Sequence, residues 1–199
     1  MKTLTKLSVI AGLLITITTA FSPKATENFK VDGGKSTITW VGKKVTGEHS
    51  GNIKIKSGTV VTEGKKLKGG SFIIDMNSMT CTDLTDPDYN SKFIGHLKSD
   101  DFFSTEKFPE AKLDITSVTP VKDNNYTVKG NLTIKGVTKP VEFPATVTSD
   151  SKTVKANADI TVDRTKYDIK YGSGTFFDNL GDKAIEDNFT LKVQLVASK

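Results

Sequence analysis

From Ser36 onward, apolar and polar residues alternate along most of the chain. Ile53/Ile55, Leu132/Ile134, Val141/Phe143/Ala145/Val147, Val154/Ala156/Ala158/Ile160/Val162 and Phe189/Leu191/Val193/Leu195 each keep one face apolar. Period two over this many segments predicts half-buried antiparallel strands. Eight are expected, at about 36–45, 48–57, 68–76, 111–120, 125–134, 137–148, 153–163 and 188–197. Turn chemistry separates them: Gly47 follows the first run, Gly58 ends the second and Gly69-Gly70 opens the third. Asp123-Asn124-Asn125, Lys135-Gly136 and Ser149-Asp150-Ser151 mark later reversals. In LTIKGVTKPVEF, two residues between alternating runs describe a tight hairpin with glycine where positive φ is tolerated.

Eight sequential antiparallel strands hide every backbone edge by closing into a barrel, whose bore has room for side chains or one small ligand. A two-sheet sandwich shows the same periodicity and stands as the rival. The expected class is all-β, an eight-stranded antiparallel barrel with a short helical segment.

Two stretches, Asn77 to Glu110 and Arg164 to Asp187, are too long for hairpins. Long segments of this kind in a compact domain are lids, plugs or binding loops. In the first, Asp86-Pro87 reads as N-cap and first helical residue, and Tyr89, Phe93 and Leu97 recur at spacing four with Ile94 beside them. Ser99 then caps a further turn carrying Asp100, Asp101, Phe102 and Phe103. The second holds Tyr167, Tyr171, Phe176 and Phe177 among glycines.

Composition changes this picture little: 199 residues, 36% hydrophobic and 26% charged, suit one domain with one core. The first twenty residues differ. Lys2 and Lys6 precede the apolar run Leu7–Ile17, which closes on Thr18, Thr19 and Ala20, the pattern of a cleaved secretory leader. The run is shorter than the ~20 residues a membrane span needs. The expected division is a signal peptide at 1–20 and one domain at 21–199, periplasmic or secreted. Losing the leader removes two lysines and leaves +3 of the formal +5. Lysines scattered over alternating strands make a solvated surface, not a nucleic-acid footprint.

Candidate chemistry is sparse. Cys81 is the single cysteine, so no internal disulfide forms, and its neighbours in TCTDLTDPD are acids, where a nucleophilic thiolate needs positive charge. The only histidines, His49 and His96, lie outside any HExxH or similar signature, and GxSxG, P-loop and GxGxxG motifs are absent. No catalytic residue, metal or cofactor is expected. His96, four residues before Asp100, is expected to satisfy a carboxylate or backbone partner and help seat the helix. Phe93, Leu97, Phe102, Phe103 and Phe108 are too apolar for an exposed loop, so GHLKSDDFFSTEKFP reads as a plug. Ala156 and Ala158 leave room on the inner face of their strand, unless Trp40, Phe72 and Phe143 fill it.

HLKSDDFFSTEKFPEAKLDITSV, GNLTIKGVTKPVEFP, ITVDRTKYDIKYG and the opening FKVDGGKSTITWVGKKVTGEHSGNIKIKSGTV closely resemble the YceI-like family, over about Asn28 to Ala197. The resemblance implies an extended lipocalin-like barrel, exported in many bacteria, whose long apolar tunnel holds polyisoprenoid or related amphiphilic chains. It also implies that His96, Leu97, Ser99, Asp101, Phe102 and Phe103 pack beside the barrel. Where many members read VDxxHS, this chain has VDGGKS, with Lys35 in the usual place of a histidine and His49 in a GEHSG turn instead. The expected function is an exported, non-enzymatic carrier of an isoprenoid or similar long-chain lipid. Such a role leaves room for transient membrane contact and for a homodimer. The candidate ligand contacts are Trp40, Phe72, Ile74, Phe102, Phe103, Leu113, Ile115, Leu132, Phe143, Ala156, Ala158 and Ile160. A lipid-modifying enzyme acting through His96 and Asp101, and a ligand-free structural domain, are the alternatives.

Overall fold

A computed structural model describes residues 25–199; the expected leader at 1–20 lies outside the described residues. Nine strands follow one another: β1 (Thr26–Val31), β2 (Thr37–Lys44), β3 (Gly47–Glu63), β4 (Lys66–Asp75), β5 (Glu110–Lys122), β6 (Asn125–Ile134), β7 (Val137–Ser149), β8 (Thr153–Asp163) and β9 (Ile185–Ser198). Among the described residues one α-helix, α1 (Pro87–Lys98), lies between β4 and β5. Strands β2 to β9 pair antiparallel with their neighbours, and β2 returns to β9, so eight strands close into a barrel. The sandwich is therefore excluded.

β1 escaped the sequence reading because it carries only two inward residues, Phe29 and Val31. It does not widen the barrel. Like β2, it runs between β3 and β9, pairing Thr26–Lys30 with Thr59–Glu63 and Lys30–Val31 with Ala197–Ser198, so the two share one stave. The break between them is an Asp32 turn: its Oδ1 accepts the Gly34 and Lys35 N–H groups, and the Ser36 hydroxyl donates to its carbonyl at 2.7 Å. β3 also runs past Gly58, which was expected to end it. A Cβ there would stand 2.8 Å from the Phe72 ring, so that glycine marks close packing inside the strand and not a reversal. The Lys135-Gly136 hairpin forms as expected, with φ of 51° and 74°.

Strand direction puts both long connections, 76–109 and 164–184, at the same end of the barrel. At the opposite end the bore is solid: Phe29, Val154 and Ala197 have no exposure, and Val128 and Val147 almost none. The capped end is built differently. β7 pairs with β8 only from Ala145 to Ser149, although β8 continues to Asp163 against β9. Pro140 and Pro144, without N–H groups, sit on the stretch of β7 where that ladder is missing. The Arg164–Tyr167 turn packs against β7 and β9 there, and Tyr167 and Ile169 are fully buried.

Candidate functional site: an apolar cavity under two caps

The half of the bore beneath the caps holds a partly open cavity of about 300 Å³. Its walls are inward residues of six strands: Ile38 and Trp40 of β2, Ile53 of β3, Ile74 of β4, Ala111 of β5, Leu132 and Ile134 of β6, and Phe189 and Leu191 of β9. Met76, Met79, Phe93, Leu97, Phe102 and Phe103 come from the first cap, Arg164 from the second. Polar groups, namely Lys43, Lys44, His49, Glu186 and Asn188, gather at one edge. Such a cavity, apolar throughout with polar groups to one side, suits an amphiphile held by its chain.

The first cap is held by local chemistry. The Asp86 side chain accepts the Asp88 and Tyr89 N–H groups at 3.0 Å, and Pro87 opens α1. Phe93 and Leu97 face the barrel, but Tyr89, expected on the same face, is 69% exposed. After α1 the chain folds back on itself: the Ser104 N–H donates to the Ser99 carbonyl at 2.9 Å and the Thr105 N–H to the Lys98 carbonyl at 3.0 Å. Ser104 and Thr105 are buried, and Phe102 and Phe103 line the cavity. The stretch GHLKSDDFFSTEKFP is thus a plug. His96 serves it as expected, though its partner is Asp101, at 3.0 Å, and Asp100 bridges to Lys107. The His96 ring stands edge-on to Phe102 and Tyr171.

Arg164 holds the second cap. Nearly all of its side chain is buried, and its fork donates to the carbonyls of Ile169, Tyr171, Ile185 and Glu186 at 2.9–3.0 Å, with Asp187 3.6 Å away. Burial draws the guanidinium below its ordinary pKa while Asp187 and Asp163 oppose the shift. Four carbonyls from both ends of a loop converge on one cation, so Arg164 is a latch, with four of its five N–H donors bonded to them.

A third group stands at the polar edge. His49 Nδ1 lies 2.7 Å from Asp83 Oδ2, the Cys81 thiol donates to Asp83 Oδ1 at 3.2 Å, and the Ser50 N–H donates to the same oxygen at 2.7 Å. Burial alone would raise the Asp83 pKa, but the Ser50 N–H, His49 and Cys81 outweigh it and hold the carboxyl at about 2. The Cys81 thiol moves up, chiefly through burial, which disfavours the thiolate in the metal-free protein.

A family model described as "YceI-like domain" matches residues 29–197. The chain belongs to the YceI-like family. Among solved structures, Burkholderia cenocepacia BcnA is 27% identical, with a TM-score of 0.68 covering 84% of this chain and 99% of that one. A polyisoprenoid binding domain from Saccharophagus degradans, implicated in plant cell wall breakdown, is 15% identical, with a TM-score of 0.65 covering 85% and 97%; it shares the fold. A UPF0312 protein of Photorhabdus laumondii is 47% identical over 57 residues, 29% of each chain. The match thus spans under a third of that relative's length.

Within this YceI-like barrel the expected contacts divide. Trp40, Ile74, Phe102, Phe103 and Leu132 line the cavity; Phe72, Leu113, Ile115, Phe143, Ala156, Ala158 and Ile160 do not. Periodicity identifies the inward face but not the height along the bore. Phe72, Phe143 and Ile160 are buried in the core. Ala156 pairs with Leu195, and Ala158 lies with Ala145 and Val193 at an open hollow in the wall rimmed by Asn125, Asn157 and Lys192. The room expected beside the two alanines is therefore not part of the cavity. Sequence reasoning missed Met76, Met79, Arg164 and Ile185, which reach the cavity only through the folding of the caps. It also missed the meeting of His49 with Cys81 and Asp83, more than thirty residues apart. The long tunnel implied by the resemblance is here a cavity in half of the bore.

Proposed function

We propose that this YceI-like protein is an exported, non-enzymatic carrier that shelters the chain of an isoprenoid or similar amphiphilic lipid in its cavity. The observation that carries the reading is the apolar space beneath the caps, about 300 Å³, whose exposed lining is almost wholly hydrocarbon. A water takes about 30 Å³ of liquid and a methylene group is close to that size, so on the order of ten chain carbons fit. That corresponds to about two isoprene units; a longer chain needs the Phe102–Phe103 turn to swing outward or continues past the polar edge. At about 0.8 kcal/mol per buried methylene, ten carbons supply roughly 8 kcal/mol before the cost of association. The head group sits at the polar edge beside Lys43, Lys44 and His49. A carrier must meet a membrane to load, and the leader pattern of residues 1–20 supports the reading that it does so in the periplasm or outside the cell. The enzyme alternative lacks a foothold, since neither His96 nor Asp101 lines the cavity.

Two measurements test this. Organic extraction of freshly exported protein, followed by mass spectrometry, is expected to release a long-chain lipid. Delipidated protein titrated with a ten-carbon isoprenoid alcohol is expected to shift the emission of Trp40, the single tryptophan, which lines the cavity. A clean extract together with an unresponsive Trp40 refutes the carrier reading.

A further inference from the structure

We propose that His49, Cys81 and Asp83 bind a divalent transition-metal cation, with zinc as the case tested. The three offer one imidazole nitrogen, one sulfur and one carboxylate oxygen, and these donor atoms all lie within 4.8 Å of one another. Zinc takes such donors at about 2.0–2.3 Å, which in a tetrahedron sets them roughly 3.3–3.6 Å apart. The observed separations of 2.7 and 3.2 Å to the Asp83 oxygens, within a 4.8 Å limit for the whole set, need shifts of about an ångström. Mixed nitrogen, sulfur and oxygen ligands suit borderline-soft metals and not calcium or magnesium, which favour oxygen alone. Three protein ligands leave a fourth position open.

The donors are held by backbone, which separates the group from a chance surface cluster. Residues 80–82 run alongside β3: Thr80 and Asn52 exchange N–H groups and carbonyls at 2.9 and 3.2 Å, and the Thr82 N–H donates to the Ser50 carbonyl at 2.9 Å. Asn90 of α1 donates to the carbonyls of Cys81 and Leu84 at 3.0 and 2.8 Å, which fixes the loop from its other side. Phe93 packs on the His49 ring with centroids 4.5 Å apart, and the Ser50 N–H orients the Asp83 carboxylate. Supporting contacts of this kind hold metal ligands in place. His96 and Asp101 form a comparable pair at 3.0 Å but no third donor among the described residues joins them, which makes them an internal control.

The exchange balances simply. The Cys81 thiol proton leaves to solvent, the His49 ring hydrogen that faces Asp83 on Nδ1 is exchanged through solvent onto Nε2, and the dication faces a thiolate and a carboxylate, so the metal and its protein ligands are neutral together. Both groups that now donate to Asp83 turn their freed lone pairs to the cation instead. His49 also lines the cavity, so the site adjoins the polar edge where a lipid head group is proposed, yet binding of the metal is read without any lipid.

The test uses the full chain stripped with a chelator. Equilibrium dialysis against zinc is expected to load about one ion per chain, and cobalt(II) is expected to produce thiolate-to-metal absorption in the near ultraviolet. Cys81→Ser and His49→Gln should each weaken zinc at least ~10-fold, whereas His96→Gln leaves it unchanged. Cys81→Ser should also abolish the cobalt band. Thermal unfolding of each metal-free variant checks its fold, and the cobalt spectrum of the unaltered protein needs no variant. Failure of the unaltered protein to bind zinc, a cobalt spectrum without the thiolate band, or equal losses in all three variants would overturn the assignment.

Discussion

Replacing Ala111 by phenylalanine tests the cavity most directly. Ala111 is the second residue of β5, pairs with Ile74, and both residues line the hollow half of the bore. The substitution adds six ring carbons to a space that holds on the order of ten. At about 0.8 kcal/mol for each chain carbon displaced, the loss reaches roughly 5 kcal/mol, and about 3 kcal/mol if the chain slides partly toward the polar edge. Affinity for a ten-carbon isoprenoid alcohol is therefore expected to fall by about two to four orders of magnitude. Stability should change little, because the ring fills empty volume; the usual 1–3 kcal/mol cost of overpacking applies where there is none. Trp40 emission follows binding, thermal unfolding follows the fold, and Thr116→Phe, on the exposed face of β5, is the control. A folded Ala111→Phe protein that binds the alcohol as tightly as its parent would show that the chain lies elsewhere.

Three further outcomes follow from packing and charge. Gly51→Ala should destabilise the protein by about 3 kcal/mol or more in denaturant titrations, because a Cβ there collides with the Thr80 carbonyl oxygen and stands 2.6 Å from the Trp40 ring. Arg164→Lys should cost about 3–5 kcal/mol and lower the melting temperature by roughly 10 °C or more, since an ammonium with three donors cannot satisfy four carbonyls spread around a planar fork; a fall of only a degree or two contradicts the latch. Melting temperature should also drop as pH falls from about 5 to about 3. Asp187 is one source: burial would raise its pKa, but the Ser173 and Thr175 hydroxyls and Arg164 hold it below the usual carboxylate range. Its stabilisation is therefore complete above the unfolded value of about 3.9 and is lost as pH falls toward the lower folded value. Asp187→Asn should flatten that part of the pH profile, and an unchanged profile counts against this role.

Alternation in strands such as Val154–Val162 determined the class of fold, because in a closed sheet the inward face is a property of each strand alone. Asp86-Pro87 and Lys135-Gly136 likewise announced a helix start and a hairpin through local backbone chemistry. The family, too, was legible in motifs such as HLKSDDFF. What only the tertiary structure decided is depth and convergence. Trp40 and Phe72 both face inward, yet one lines a cavity and the other a packed core, and no period in the sequence records height along a bore. Arg164 gains its purpose from carbonyls on both ends of a loop, and His49 meets Cys81 and Asp83 only because residues 80–82 lie against β3. Those relations join residues distant in sequence, so they exist only once the barrel has closed.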